Sequence, residues 1–315
     1  MSTKVSIEFN HVSVLLNEAV DALNVKKDGL YLDGTLGGGG HTHEILKLGG
    51  RVFAIDRDSD AINYCKQKLS NFIKTNQLTI TKGNFFETSI LFHENLPNIN
   101  CIQGAVLDLG FSSFQVDEKN RGFSYTHDAA IDMRMDKSQS LSAFDIINDY
   151  SEYDLAKIFY EYGEERLSRK IAREIISRRK NEPIKTTGQL SALIHDCYPK
   201  FFKGGHPAKK VFQALRITVN DELDELETAL LDIFNLLESK ARLSVITFHS
   251  LEDRIVKKAF SKLSTACTCD KSQPICVCGG YAKGRQIIKG DPPSKNEQQL
   301  NSRSRSARLR VIEKN

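Results

Sequence analysis

The chain has 315 residues, 40% hydrophobic and 27% charged, with a formal charge of +4, the balance of a globular protein with room for two domains or one core with a large insertion. No run reaches the roughly 18 apolar residues of a membrane span, and Met1-Ser-Thr-Lys-Val5 opens no secretory signal. Seven cysteines, an odd number, do not make a secreted disulfide framework, so a cytoplasmic protein without membrane attachment is expected.

Val12, Leu15, Leu16, Ala19, Val20 and Leu23 recur at helical spacing and predict an amphipathic helix. A strand Leu30–Asp33 then meets Gly34-Thr-Leu-Gly37-Gly38-Gly39-Gly40-His41, and a helix to about Leu48 follows. Next come a strand Arg51–Asp56, a helix Ala61–Leu69, and strands Leu78–Thr81 and Gly104–Asp108. Strands alternating with helices predict a parallel, doubly wound sheet. From about Ser140 to Leu237 the pattern is helical throughout. Helices start at Ser151–Asp154 and Thr187, a long basic helix covers Glu164–Lys180, and Leu223, Leu226, Leu230, Ile233, Phe234 and Leu237 mark the last. Arg242–Phe248 resumes the strand pattern before a polar, basic tail. The expected fold is α/β: a Rossmann-like domain (1–139 and 223–315, tail included) interrupted by a helical insert (140–222).

Glycines directly after a strand let the backbone approach a ligand, and the following helix offers free N–H groups. Asp56, 23 positions after Asp33, ends the second strand, where an acid accepts hydrogen bonds from ribose hydroxyls. Asp33 ends the first strand, where a carboxylate would repel a pyrophosphate but suits the ammonium and sulfonium of S-adenosylmethionine. Phe85, after the third strand, is placed to pack beside adenine, although a core aromatic is an equal reading. Asp108 ends the fourth strand, beside the expected methyl group.

These residues resemble one family. Asp33–His41, Ala54-Ile-Asp-Arg-Asp58 and Leu107-Asp-Leu-Gly-Phe-Ser-Ser113 are similar to blocks of the MraW family, the bacterial 16S ribosomal RNA cytosine-N4 methyltransferases. So are Arg121-Gly-Phe-Ser124, Asp132-Met-Arg-Met-Asp136, Tyr162–Arg166, Phe212–Arg216, Phe248–Arg254 and Ser302–Arg308. The resemblance runs from His11 to the C-terminus. It implies a class I S-adenosylmethionine-dependent methyltransferase fold. It implies a donor site of Gly39, Gly40, His41, Asp56, Phe85, Asp108 and Gln115. The implied partner is 16S rRNA in the small ribosomal subunit, with one cytosine of the decoding centre as target; for the chain itself, monomer and homodimer both stay open.

Methylating a cytosine amine requires the nitrogen in line with the methyl, about 3 Å away, and stabilisation of the charge that develops on it. Many amino-methyltransferases use a D-P-P-Y turn here; this chain keeps an acid and an aromatic in Asp108-Leu-Gly-Phe111. Asp291-Pro-Pro-Ser294 has no predicted strand before it and reads as a loop. His249, at the end of the late strand, is the candidate for base contact or proton relay. Ser250-Leu-Glu-Asp253 also reads as a helix capping box, which competes with that role. Asp132 and Asp136 are alternative carboxylates, with a salt-bridge role equally open.

Arg166, Arg169, Lys170, Arg173, Arg178, Arg179 and Lys180 crowd one helix; Lys203–Lys210 and Arg303, Arg305, Arg308 and Arg310 add charge. Such clusters suit phosphate contacts, against the alternative of a merely solvated face. Cys267, Cys269, Cys276 and Cys278 form two C-x-C units; the expectation is no metal, because zinc sites favour C-x2-C. Two other functions compete: a methyltransferase of another nucleic acid or a protein, and a non-catalytic RNA-binding module.

Overall fold

The computed structural model describes residues 13–111, 118–267, 269 and 279–315. Two compact units emerge. The first takes in residues up to Asp56, Asp60–Leu109 and Thr228–Asn315; the second comprises Arg57–Ser59 and Gly110–Glu227.

The first unit is built on strands β1 (Leu30–Asp33), β2 (Arg51–Asp56), β3 (Leu78–Lys82), β4 (Ile102–Asp108), β5 (Leu237–Thr247), β6 (Gly284–Asp291) and β7 (Arg308–Lys314). They form one sheet of order β3-β2-β1-β4-β5-β7-β6, parallel from β3 to β5, with β7 antiparallel to both its neighbours. Helices α1 (Leu16–Leu23), α2 (Gly40–Lys47), α3 (Ser59–Lys68), α4 (Ser70–Lys74) and α5 (Thr88–Asn95) accompany the first four strands. One face of the sheet is sealed by Ala19, Val20 and Leu23 of α1 with Tyr31, Val106 and Val311. Central strands carry apolar residues on both faces, as burial on both sides of a parallel sheet requires.

The second unit is helical: α6 (Ala143–Asp149), α7 (Glu152–Glu161), α8 (Ser168–Arg179), α9 (Thr187–Cys197) and α10 (Lys209–Asn220). Ser142, Ser151 and Thr186 cap α6, α7 and α9 with side-chain oxygens, the reason those helices begin where they do. Ile146, Phe159, Ile171, Ile175, Leu193 and Leu215 form its core. Ile131 and Met133 belong to the same core. The segment that carries Ile131 and Met133 therefore packs with the helices, rather than with the sheet where the sequence boundary at 140 put it.

Two further helices of the first unit, α11 (Leu226–Leu236) and α12 (Ser250–Ser264), bracket β5, and α13 (Lys295–Leu300) lies between β6 and β7. The C-terminal region departs from the sequence expectation: it is two strands rather than a tail. Arg310, counted there as surface charge, is buried. It grips Asp253 of α12 with two bonds, Nε to Oδ1 at 2.7 Å and Nη2 to Oδ2 at 2.8 Å. Charge pairing inside a strand defeats a hydropathy pattern, because the buried residue looks like an exposed one. Asp291 likewise closes β6, so the Asp291–Ser294 segment does follow a strand. No helix among the described residues is long and apolar enough to cross a membrane.

Removing Arg310 leaves Asp253 half-buried without its partner. Arg310→Ala is expected to cost about 2–4 kcal/mol of stability, read from the urea midpoint. An unchanged midpoint would mean that β7 is not part of the cooperative unit.

Candidate functional site

Strand β1 is short. Asp33 pairs in register with Ala54 of β2 and Val106 of β4, yet those neighbours continue for two more residues, to Asp56 and Asp108. At about 3.3 Å per residue, β1 ends about 6–7 Å before them and leaves a notch. The notch lies where strand order reverses direction, between β1 and β4, at the carboxyl edge where such sheets bind ligands.

The glycine turn fills this notch while strapped to both sides. The Gly34 amide donates to the Val106 carbonyl (3.1 Å) and the Leu36 amide to the Ile55 carbonyl (3.0 Å). A side chain on Gly34 would put its Cβ 2.4 Å from Leu107 Cδ2 and 3.2 Å from Phe85 Cβ. Gly39 adopts φ +73° as the N-cap of α2, a conformation glycine takes without strain. Gly40 and the buried His41 open that helix.

Three carboxylates end up on adjacent strands. Asp33 is buried; its Oδ2 accepts from Thr42 Oγ1 (2.6 Å) and its Oδ1 from the Thr35 amide (3.1 Å). Burial pushes the Asp33 carboxyl up to about 6; the two hydrogen bonds oppose the rise and the Asp56 charge adds to it. Asp56 Oδ2 accepts from the Gly37 amide at 2.7 Å. Asp108 is held well above the usual carboxylate range, first by burial and then by the charges of Asp33 and Glu252. Its Oδ1 is buried with no hydrogen-bond partner among the described residues. Its backbone amide donates to Thr35 Oγ1 at 2.7 Å, fixing β4's end to the turn. Thr35 and Thr42 were not singled out in the sequence, because a lone hydroxyl beside a glycine run has no pattern of its own.

Phe85 opens a short turn after β3 that Asn84 caps, its half-buried ring 4.5 Å from that of Phe86. Asp56, Phe85 and Asp108 thus end or follow β2, β3 and β4 at the same carboxyl edge where Gly39, Gly40 and His41 follow β1. Gln115 lies outside the described residues.

His249 follows β5 and is itself the N-cap of α12, with Glu252 completing the capping box; the cap is not Ser250. Its Nδ1 accepts from the Glu252 amide at 3.5 Å, and Nε2 lies 2.9 Å from Glu252 Oε1 without aligning as a hydrogen bond. Glu252 Oε2 accepts from the Phe248 amide at 2.9 Å. Serine is the commoner cap, so the sequence pattern favoured the neighbouring residue.

In the helical unit, Asp132 holds Arg134 through two 2.8 Å bonds, and Asp136 Oδ1 accepts from the Ser138 amide and hydroxyl. Arg166, just before α8, and Arg169, Arg173 and Arg178 along it are exposed, whereas Arg179 donates to the carbonyls of Ile147 and Tyr150. Cys267 is exposed and Cys269 half-buried; Cys276 and Cys278 lie outside the described residues.

The sheet order, the notch and the acids at its rim define a Rossmann-like α/β protein of the class I methyltransferase type. The chain belongs to the MraW methylase family, whose profile it matches over residues 8–315. A Clostridium botulinum (strain Kyoto / Type A2) protein named ribosomal RNA small subunit methyltransferase H is 49% identical over 313 residues, 98% of this chain and 100% of that protein. A Brevibacillus brevis protein of the same name is 46% identical over 98% of this chain and 99% of its own length. The solved structure of an rRNA methylase from Streptococcus thermophilus is 12% identical, covers 96% of this chain and 98% of that one, and has a TM-score of 0.42.

Asp33 makes stability depend on pH. Its folded pKa of about 6 exceeds the ordinary 3.8, so the folded state keeps a proton that the unfolded chain releases between these values. Stability is full below pH ~4 and falls as pH rises to ~6, by about 3 kcal/mol at 1.36 kcal/mol per unit. Asp33→Asn is expected to remove that slope. Denaturation of both proteins across pH 4–7 checks it, and parallel curves would refute the assignment.

Proposed function

We propose that this chain is an S-adenosylmethionine-dependent enzyme that methylates the N4 amine of a cytosine in 16S rRNA of the small ribosomal subunit, in the cytoplasm. Membership of a methylase family and the names of its relatives support the reaction class. The observation that carries the donor assignment is Asp108, whose Oδ1 is buried without a partner among the described residues, beside two further acids. Buried acids in mutual repulsion suit a cationic ligand, and a pyrophosphate would raise their energy further.

The residues fit the donor as follows. Gly39, Gly40 and His41 line the turn, where the small residues leave room for backbone contact. Asp56 accepts the ribose hydroxyls while the Gly37 amide keeps its carboxylate aimed along the strand edge. Phe85 offers its ring to the adenine, and Gln115 completes the set that the family pattern implies. When bound, S-adenosylmethionine supplies an electrophilic methyl carried on a sulfonium.

The chain's own task is then to hold and deprotonate the amine. Asp108 accepts an amine hydrogen at its unpartnered oxygen, orienting the nitrogen and countering the charge that develops on it. Its raised pKa suits it to take that proton afterwards. His249, fixed by Glu252 at the end of the next strand, is the second proton-handling group at this edge. The exposed arginines of α8 provide phosphate contacts that hold the rRNA in place.

Two measurements test this reading. Small-subunit rRNA from cells with and without the protein is digested and analysed by mass spectrometry; an N4-methylcytosine signal that persists without the protein refutes the substrate. Asp56→Ala is expected to weaken S-adenosylmethionine binding in calorimetry by at least about a hundredfold, through loss of a charged double acceptor. Unchanged affinity would reject the site.

A further inference from the structure

Immediately after Asp56 the chain leaves the sheet unit, and residues 57–59 count with the helical unit instead. Two side chains there are anchored. Arg57 Nη1 donates to the Asn220 carbonyl at 2.7 Å, and Asp58, with 2% of its side chain exposed, meets Arg121 Nη2 at 3.1 Å. The same Arg121 nitrogen reaches the carbonyls of Arg134 (2.9 Å) and Met135 (3.0 Å).

Asn220 closes the network. Its Oδ1 accepts from the Met135 amide (2.8 Å), and its Nδ2 donates to the carbonyls of Met133 (2.8 Å) and Arg216 (2.9 Å). Met133 sits at φ +62°, a conformation a methionine keeps only where its surroundings impose it. Its amide donates to the Arg121 carbonyl. Arg121-Gly-Phe-Ser and Asp132-Met-Arg-Met-Asp, two sequence blocks without a part in the donor site, therefore meet around Asp58.

A buried ion pair adds little to stability compared with apolar packing, because desolvating both charges offsets their attraction. What it does supply is a fixed geometry, since a guanidinium fork has few ways to satisfy three acceptors at once. The residue so fixed is Asp58, two positions from the carboxylate assigned to the donor ribose.

We infer that Arg121, acting through Asp58, is a positioning residue for Asp56 and so sets the affinity for the methyl donor. The inference rests on the assignment of Asp56 above. Arg121 touches no reacting atom; it fixes the chain that carries the ribose acceptor, and a displacement of even 1 Å there is costly.

The test uses the full-length protein and calorimetric titration with S-adenosylhomocysteine. Arg121→Lys keeps the charge but loses the fork and is expected to weaken binding about tenfold. Arg57→Ala, which removes the hydrogen bond of a half-buried side chain to the Asn220 carbonyl, is expected to fold normally and weaken binding about threefold. In an Asp56→Asn background both effects should vanish, which a general loss of stability would not produce. Binding within twofold of the parent for both variants overturns the proposal, as does an equal loss in the Asp56→Asn background. Wild-type affinity in Asp56→Asn itself would instead reject the Asp56 assignment.

Discussion

The site depends on β1 stopping two residues before its neighbours. A strand that ran on to the level of Asp56 and Asp108 would fill the switch point with backbone and leave nowhere for the glycine turn. The early stop is enforced at Asp33, whose carboxylate takes the Thr35 amide and the Thr42 hydroxyl and so bends the chain out of the sheet. The cost is a buried acid with a raised pKa. Buried charge of this kind is retained where geometry matters more than stability.

From that constraint the remaining chemistry follows. The turn brings Thr35 onto β4, which fixes Asp108, and brings the Gly37 amide onto Asp56. Three acids on adjacent strands then share one poorly solvated edge, each raising the cost of ionising the next. In the function proposed above, a cationic methyl donor would lower that energy, and an amine approaching Asp108 would satisfy the oxygen that has no partner among the described residues. Binding and chemistry thus draw on the same electrostatic strain.

The helical unit bears on the reaction in two ways. Its exposed arginines present charge that a phosphate backbone can meet without exact geometry. Residues 57–59 belong to it and follow directly on Asp56, the proposed ribose acceptor. Arg179, by contrast, caps the carbonyls of α6, so an arginine-rich helix is not uniformly a binding face.

Much was legible before any coordinates. Strand β1, the glycine turn, and the acids ending β2 and β4 follow from local pattern, because glycine and an apolar run closed by an acid leave few conformations open. So does the switch to helices beyond Ser140, which rests on a change of period. The C-terminal strands were not legible: Arg310 is polar in sequence, and only its pairing with Asp253 makes it a core residue. The same holds for His249 as a cap, for Thr35 and Thr42 as clamps, and for Arg121 beside Asp58. Sequence by itself determined the glycine turn and the family; tertiary structure decided which charges are buried and what they hold, because a polar residue's place depends on a partner far along the chain.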